Sequence, residues 1–205
     1  MKNIDINSII TDTIFLFKQT ASSKCIGIIT TFEETNGCFI IGDEDKIKQV
    51  ILNVLHNSLS ASRRNGQITL KTGFKNNLDE YKKSATEHNN CIFFSFTPPV
   101  KEGFNERRYF FIKIADDGTG ISPEKISHIF EPFFTDKNNG NGLGLAVVYR
   151  IIKDHEGGIY VESSVGEGTS FYIFLPVNGM NIDAGKEKEQ TVTTFYDNKH
   201  LMDES

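Results

Sequence analysis

The chain of 205 residues has no tryptophan, only five prolines and only three cysteines. Cys25, Cys38 and Cys91 are odd in number, far apart and without CxxC spacing, which excludes a disulfide framework and a cysteine zinc site. They read as reduced thiols in or near the core. No run approaches the ~18 to 20 apolar residues of a membrane span. The opening MKNIDINSII lacks the basic start and apolar centre of a secretory signal, so a cytoplasmic location without membrane contact is expected. Basic charge is scarce as well: 22 Lys and Arg stand against 27 Asp and Glu, a net charge of -5. Arg63-Arg64 and Arg107-Arg108 are isolated pairs rather than a basic stripe, so nucleic acid is not an expected partner. Neither GxxxxGK[ST] nor HExxH occurs.

What is present is 38% apolar residues with 17 phenylalanines, enough for the core of one domain with some chain to spare. Ile6, Ile9, Ile10, Thr13, Ile14 and Phe17 recur at helical spacing, with Asp5 or Asn7 as a cap. IGIITTFEE and GCFIIG read as two strands, joined as a hairpin across Asn36-Gly37. The strongest helical stripe is Ile47, Val50, Ile51, Val54, Leu55 and Leu59, behind the acidic start Asp43 to Asp45. Further strands are expected in GQITLKTGF, CIFFSFT, RYFFIKIA, GGIYVESS and GTSFYIFLPV, and a helix in GLGLAVVYRIIKDH. KNNLDEYKKSATEHNN and TPPVKEGFNE are polar and without clear period, so an insertion of loops over about 75–108 is expected. The domain then covers 1–177, and the polar segment 178–205 is expected to be a disordered tail or linker. The fold class that follows is α+β, a two-layer sandwich with a mixed sheet covered on one face by helices.

Three features carry chemistry. Asp116-Asp117-Gly118-Thr119-Gly120 follows a strand; its carboxylate can accept from an exocyclic amine while the glycines let a flat ring approach the backbone, although Asp-Gly also ends strands as a plain turn. Gly140-Asn141-Gly142-Leu143-Gly144 runs straight into a helix, the arrangement that aims backbone N–H groups and a helix dipole at phosphate; a hinge is the alternative. Asn53 and Asn57 share one face of the best helix, where amide oxygens suit Mg2+ but also suit a buried amide pair.

Taken in order, these features resemble the GHKL or Bergerat-fold ATPases, a superfamily that includes sensor histidine kinases and gyrase-type enzymes. DEDKIKQVILNVLHNSLSAS resembles the asparagine box of the kinases, FEPFFTDK their phenylalanine box, GNGLGLAVV their lid glycines and GEGTSFYIFLP their closing strand. The short span from Phe134 to Gly140 is similar to the compact lid of the nitrogen-regulation sensors. The resemblance covers about residues 4–177. It implies ATP and Mg2+ as cofactors, with Asn57 the metal ligand and Asn53 a polar group near the metal or the attacking water. It implies that Asp116 reads the adenine amine, Gly118 and Gly120 shape the pocket, Ile121 packs on the ring and Thr169 supports it. Gly140, Gly142, Leu143 and Gly144 then form the lid over the phosphates, Lys137 neutralises their charge, and Phe130, Phe133 and Phe134 anchor the lid.

Two departures from the pattern shape the expectation. The hydrolysing branches carry glutamate where Asn53 stands, and an amide cannot act as a general base. Phosphoryl transfer to a nucleophile from another domain is therefore expected rather than strong hydrolysis. None of His56, His88, His128, His155 and His200 is followed by Glu or Asp in an amphipathic helix with a downstream proline, so each is expected to be structural or solvent-facing. The resemblance thus implies a kinase catalytic domain acting on a histidine-bearing dimerisation domain, with a response regulator downstream. An isolated monomer is expected. A serine kinase of the anti-sigma type and a non-catalytic, ATP-dependent interaction module are the alternatives.

Overall fold

The computed structural model describes residues 2–33, 40–98, 108–136, 140–177 and 189–190. The elements in chain order are β1 (Lys2–Ile4), α1 (Ile6–Ser22), β2 (Gly27–Glu33), β3 (Ile40–Gly42), α2 (Glu44–Ala61), β4 (Gln67–Lys75), α3 (Asp79–Glu87), β5 (Cys91–Ser95), β6 (Tyr109–Asp116), α4 (Pro123–Ile126), α5 (Gly144–Asp154), β7 (Gly158–Ser164), β8 (Gly168–Pro176) and β9 (Glu189–Gln190).

One mixed sheet runs in the order β5-β7-β8-β6-β4-β2-β9, parallel at β2–β4 and antiparallel at every other pair. Strand alternation divides its side chains. Ile112 and Ile114 of β6, Ile159 and Val161 of β7, and Phe171, Ile173 and Leu175 of β8 join the main core with the buried stripes of α1, α2 and α5. The two-layer α+β sandwich expected from the sequence is therefore the architecture found. Asp5 caps α1 by accepting from Asn7 N, and Asp43 caps α2 by accepting from Asp45 N and Lys46 N. Among the described residues no helix is long and apolar enough to cross a membrane.

Three expectations need correction. The strand at 40–42 does not form a hairpin with β2: it pairs antiparallel with β1, Ile4 opposite Ile40, while β2 pairs with β4. Ile4 and Ile40 each bury in the main core through this pairing, and a three-residue β1 leaves no periodic signal to find. The proposed turn at Asn36-Gly37 lies outside the described residues. Second, the polar insertion contains α3 and does not merely hang off the sheet. Leu78, Tyr81 and Ala85, at spacings of three and four, pack on an aromatic cluster of Tyr109, Phe111, Tyr160, Tyr172 and Phe174 on the sheet face opposite the other helices. Third, Glu189–Gln190, placed in the polar tail, adds two residues to the β2 edge; the rest of 178–205 lies outside the described residues.

Candidate functional site

The end of β6 delivers Asp116 to the helix-facing side of the sheet, opposite Thr169 of β8. Both are buried, at 8% and 5% exposure. The Asp116 carboxylate accepts from Gly118 N at 3.1 Å. Burial pushes this carboxyl above the ordinary aspartate range, and the neighbouring Asp117 adds to the rise. The Ser58 hydroxyl and the backbone of Gly118 and Thr169 pull the other way without overcoming it. Ser58 Oγ lies close enough to favour the charged carboxylate, yet it is buried and completes no hydrogen bond of good geometry among the described residues. A carboxylate held against its desolvation, beside an orphaned hydroxyl, fits a donor group or bridging water arriving with a ligand.

The loop after Asp116 is fixed from three sides. Thr119 N donates to Ala61 O at the end of α2, and Gly166 N from the β7–β8 turn donates to Thr119 O at 2.8 Å. Arg63 reaches the Gly166 carbonyl at 2.7 Å, and Asp117 accepts from Gln67 N at 3.0 Å. Ile121 N donates to Ser163 Oγ at 2.8 Å, and the Ile121 side chain packs against the main core. A Cβ on Gly118 would run into the Ala61 carbonyl and the Asp116 carboxylate. Gly120 has a φ of 68°, and a Cβ there would collide with the Ser164 carbonyl. Both glycines are thus required by close packing of backbone, whatever they do for a ligand.

The second glycine segment lies against the middle of α2. Asn53 and Asn57 are both half-buried, and Asn53 Nδ2 donates to Gly144 O at 3.1 Å. Gly142 has a φ of 65°, and its carbonyl accepts from Phe133 N at 3.0 Å. Phe133 is itself left-handed, with a φ of 68°, and its ring is exposed. Phe130 is buried and Phe134 half-buried against the core, so of the three phenylalanines two anchor this segment by their rings and Phe133 by its backbone. Leu143 stands at the N-cap of α5 without a side-chain cap, and no acidic residue occupies the first turn, so that helix start is open to an anion. Gly140 is exposed at the beginning of the segment. Lys137 lies outside the described residues.

The structure thus sets two clusters along the second half of α2: Asn53 meets Gly144, with Gly142 and Leu143 just ahead of it in the chain and Asn57 one turn further along the helix, while the end of α2 meets Gly118 and Thr119 of the Asp116 loop, with Gly120, Ile121 and Thr169 beside them. The histidines stand apart from these clusters in role. His155 is buried, its Nε2 accepting from Asp43 N at 3.1 Å and its Nδ1 meeting Ile151 O at 2.7 Å. His128 pairs with Glu131, His88 with Ser84 O, and the exposed His56 meets the edge of Phe17. His200 is outside the described residues.

Sequence reasoning missed Ser58 and Ser163, and each had a signal. Ser58 falls inside the apolar stripe of α2, and Ser163 takes the inward slot after Ile159 and Val161. A small hydroxyl in an apolar register needs a partner.

The chain resembles known proteins over most of its length. The family described as histidine kinase-, DNA gyrase B-, and HSP90-like ATPase matches residues 42–179. The chain is 31% identical over 176 residues to sporulation kinase C of Bacillus subtilis, covering 86% of this chain and 34% of that protein. It is 34% identical over 182 residues to sensor histidine kinase ZraS of Klebsiella oxytoca, covering 89% and 33%. Over 139 residues it is 37% identical to the sensory histidine kinase/phosphatase NtrB of Rhodobacter capsulatus, covering 67% and 33%. The chain spans about a third of the length of these relatives. Among solved structures, the catalytic domain of histidine kinase ThkA superposes with a TM-score of 0.63 at 23% identity, covering 86% of this chain and 95% of that one. A mycobacterial sensor histidine kinase, MprB, gives 0.62 at 23% identity, covering 87% and 99%. These two show the fold.

Proposed function

This chain belongs to the histidine kinase-, DNA gyrase B-, and HSP90-like ATPase family, and from that premise we propose that it is a sensor-kinase catalytic domain. It binds ATP and passes the γ-phosphoryl group to a histidine on a separate dimerisation domain. The observation that carries the reading is Asp116: a buried carboxylate, raised by desolvation, with the orphaned Ser58 hydroxyl beside it and glycine backbone at close range. Such a site suits the amine edge of adenine, which offers a further donor to a carboxylate that its present partners do not fully compensate for burial.

In the transfer, a histidine nitrogen lone pair attacks the γ-phosphorus, the bond to the bridging oxygen of ADP breaks, and the imidazole proton passes to solvent. Little covalent work falls to the protein; positioning and charge neutralisation do most of it. The open start of α5 offers backbone N–H groups to the phosphates, and Gly140 and Gly142 let that segment fold over them. Lys137, which precedes that segment in the sequence, would supply positive charge to the phosphates. Asn57 fits a Mg2+ ion as a neutral oxygen donor, since that ion keeps waters and phosphate oxygens in its other positions and needs no carboxylate cage. Bound there, Mg2+ would neutralise phosphate charge as it moves to the leaving group. Asn53 orients rather than deprotonates, so water is a poor acceptor and the histidine a good one.

The test is transfer from γ-labelled ATP to a histidine-bearing helical hairpin from a sensor kinase, supplied in trans. Label on the hairpin that acid removes and alkali spares supports the reading. Acid-stable label would make this a serine kinase, and tight ATP binding with no labelled acceptor would make it a nucleotide-dependent interaction module.

A further inference from the structure

Ser163 faces the helix layer from β7 at 4% exposure, and its hydroxyl makes three hydrogen bonds, which is its full capacity of one donor and two acceptors. The Gly168 carbonyl, 2.8 Å away, can only accept, so the Ser163 proton points there. The Ile121 amide, also at 2.8 Å, can only donate and occupies one lone pair. The Thr169 hydroxyl, at 2.9 Å, is left with the second lone pair and must therefore be the donor. Its single proton is committed, and what Thr169 Oγ1 presents in any other direction is an acceptor. Thr169 stands opposite Asp116 in the β6–β8 pair, where the carboxylate is an acceptor too.

Two acceptors side by side match a base edge that carries an amine and repel one that carries a carbonyl. We infer that Ser163 is a positioning residue that sets the base selectivity of the site: by holding Thr169 as an acceptor, it favours the adenine amine, or a water donating beside it, over the guanine carbonyl. The inference rests on the ATP-binding reading and extends it from binding to choice of base. Without the Ser163 hydroxyl, Thr169 is free to rotate and donate, and a guanine carbonyl then finds a partner.

The experiment measures ATP and GTP dissociation constants for the unaltered chain, Ser163→Ala, Thr169→Val and the double variant, each shown folded by its melting curve. The expected result is a preference for ATP over GTP that falls roughly tenfold in Ser163→Ala, the scale of one mispaired hydrogen bond. The same substitution leaves the preference unchanged in the Thr169→Val background, because the effect passes through Thr169. A merely structural role weakens both nucleotides by one factor and keeps the ratio, and that outcome overturns the inference while leaving ATP binding in place. Failure of the unaltered chain to bind either nucleotide overturns the functional reading and this inference together. If the alanine variant does not fold, Ser163→Cys, whose thiol accepts only weakly from Thr169, is expected to lower the ATP-over-GTP preference in the same direction by a smaller factor, and an unchanged ratio overturns the inference.

Discussion

Asn53 Nδ2 and the carbonyl of Gly144 are joined by a 3.1 Å hydrogen bond, which ties the middle of α2 to the first residue of α5. Gly144 itself is not there for space, since a Cβ would meet Asn53 only at 3.8 Å. Asn53→Ala cuts this tie at the cost of about 1 kcal/mol. The expected outcome is faster hydrogen exchange in the first turn of α5, with protection of the sheet unchanged. Unchanged exchange in that turn would show that the bond does not hold the start of α5 in place.

Asp116 couples stability to pH in the direction opposite to a salt-bridged carboxylate. Its folded-state carboxyl lies above the ordinary value of 3.8, so the folded chain holds that proton more tightly than the unfolded one. Its contribution is fully present below 3.8 and is lost as pH rises through the raised folded value. At neutral pH the ionised group is a burden on the empty domain. Asp116→Asn should therefore raise the melting temperature of the nucleotide-free chain by about 2–4 °C, for roughly 1 kcal/mol, while abolishing ATP binding. A melting temperature that falls would contradict this account of the carboxylate.

Ser58 carries a related expectation. Its Oγ is buried without a hydrogen-bond partner of good geometry among the described residues, so Ser58→Ala removes an unsatisfied group but also the pull of that hydroxyl on the Asp116 carboxylate, and the two opposed effects leave the empty domain within about 0.5 kcal/mol of its present stability. ATP affinity should fall roughly tenfold if the hydroxyl is satisfied by the ligand or its water. Equal affinity in a calorimetric titration would show that the hydroxyl serves no ligand.

Gly120 and Gly166 separate backbone strain from crowding. Both have positive φ, 68° and 85°, but a Cβ on Gly120 collides with the Ser164 carbonyl while one on Gly166 meets nothing within 4 Å. Gly166→Ala should cost about 1–2 kcal/mol for its left-handed backbone alone. Gly120→Ala adds the cost of forcing backbone apart, about 1–3 kcal/mol more. Urea midpoints in the reverse order, or equal, would sink this distinction.

The helical stripes of α1 and α2, and the order of asparagine pair, aspartate loop and glycine segment before a helix, could all be read because each is local and periodic or closely spaced. The partner of β3 could not, since pairing between residues 4 and 40 is a nonlocal choice decided by what both isoleucines bury against. α3 was hidden for a different reason. Apart from the small Ala85, it offers the sheet one large side chain, Tyr81, with Leu78 just ahead of its first turn, a stripe too thin to stand out among nine mostly polar residues. What it covers comes from β6, β7 and β8, where Tyr109, Phe111, Tyr160, Tyr172 and Phe174 face away from the main core. In the candidate site the sequence marked Asp116 and the glycines, and passed over Ser58 and Ser163, whose roles depend on which hydroxyl finds a partner in three dimensions.

One ATP site built from the Asp116 loop and the α5 start, with Asn57 at its metal end, has a binding signature of its own. The most direct measurement is calorimetric titration of the chain with ATP, with and without Mg2+, beside Asp116→Asn and Asn57→Ala. The expected result is saturable binding that Asp116→Asn abolishes, and a Mg2+ enhancement that Asn57→Ala removes while leaving metal-free binding within about twofold. No binding by the folded, unaltered chain, or binding indifferent to Asp116, would contradict it.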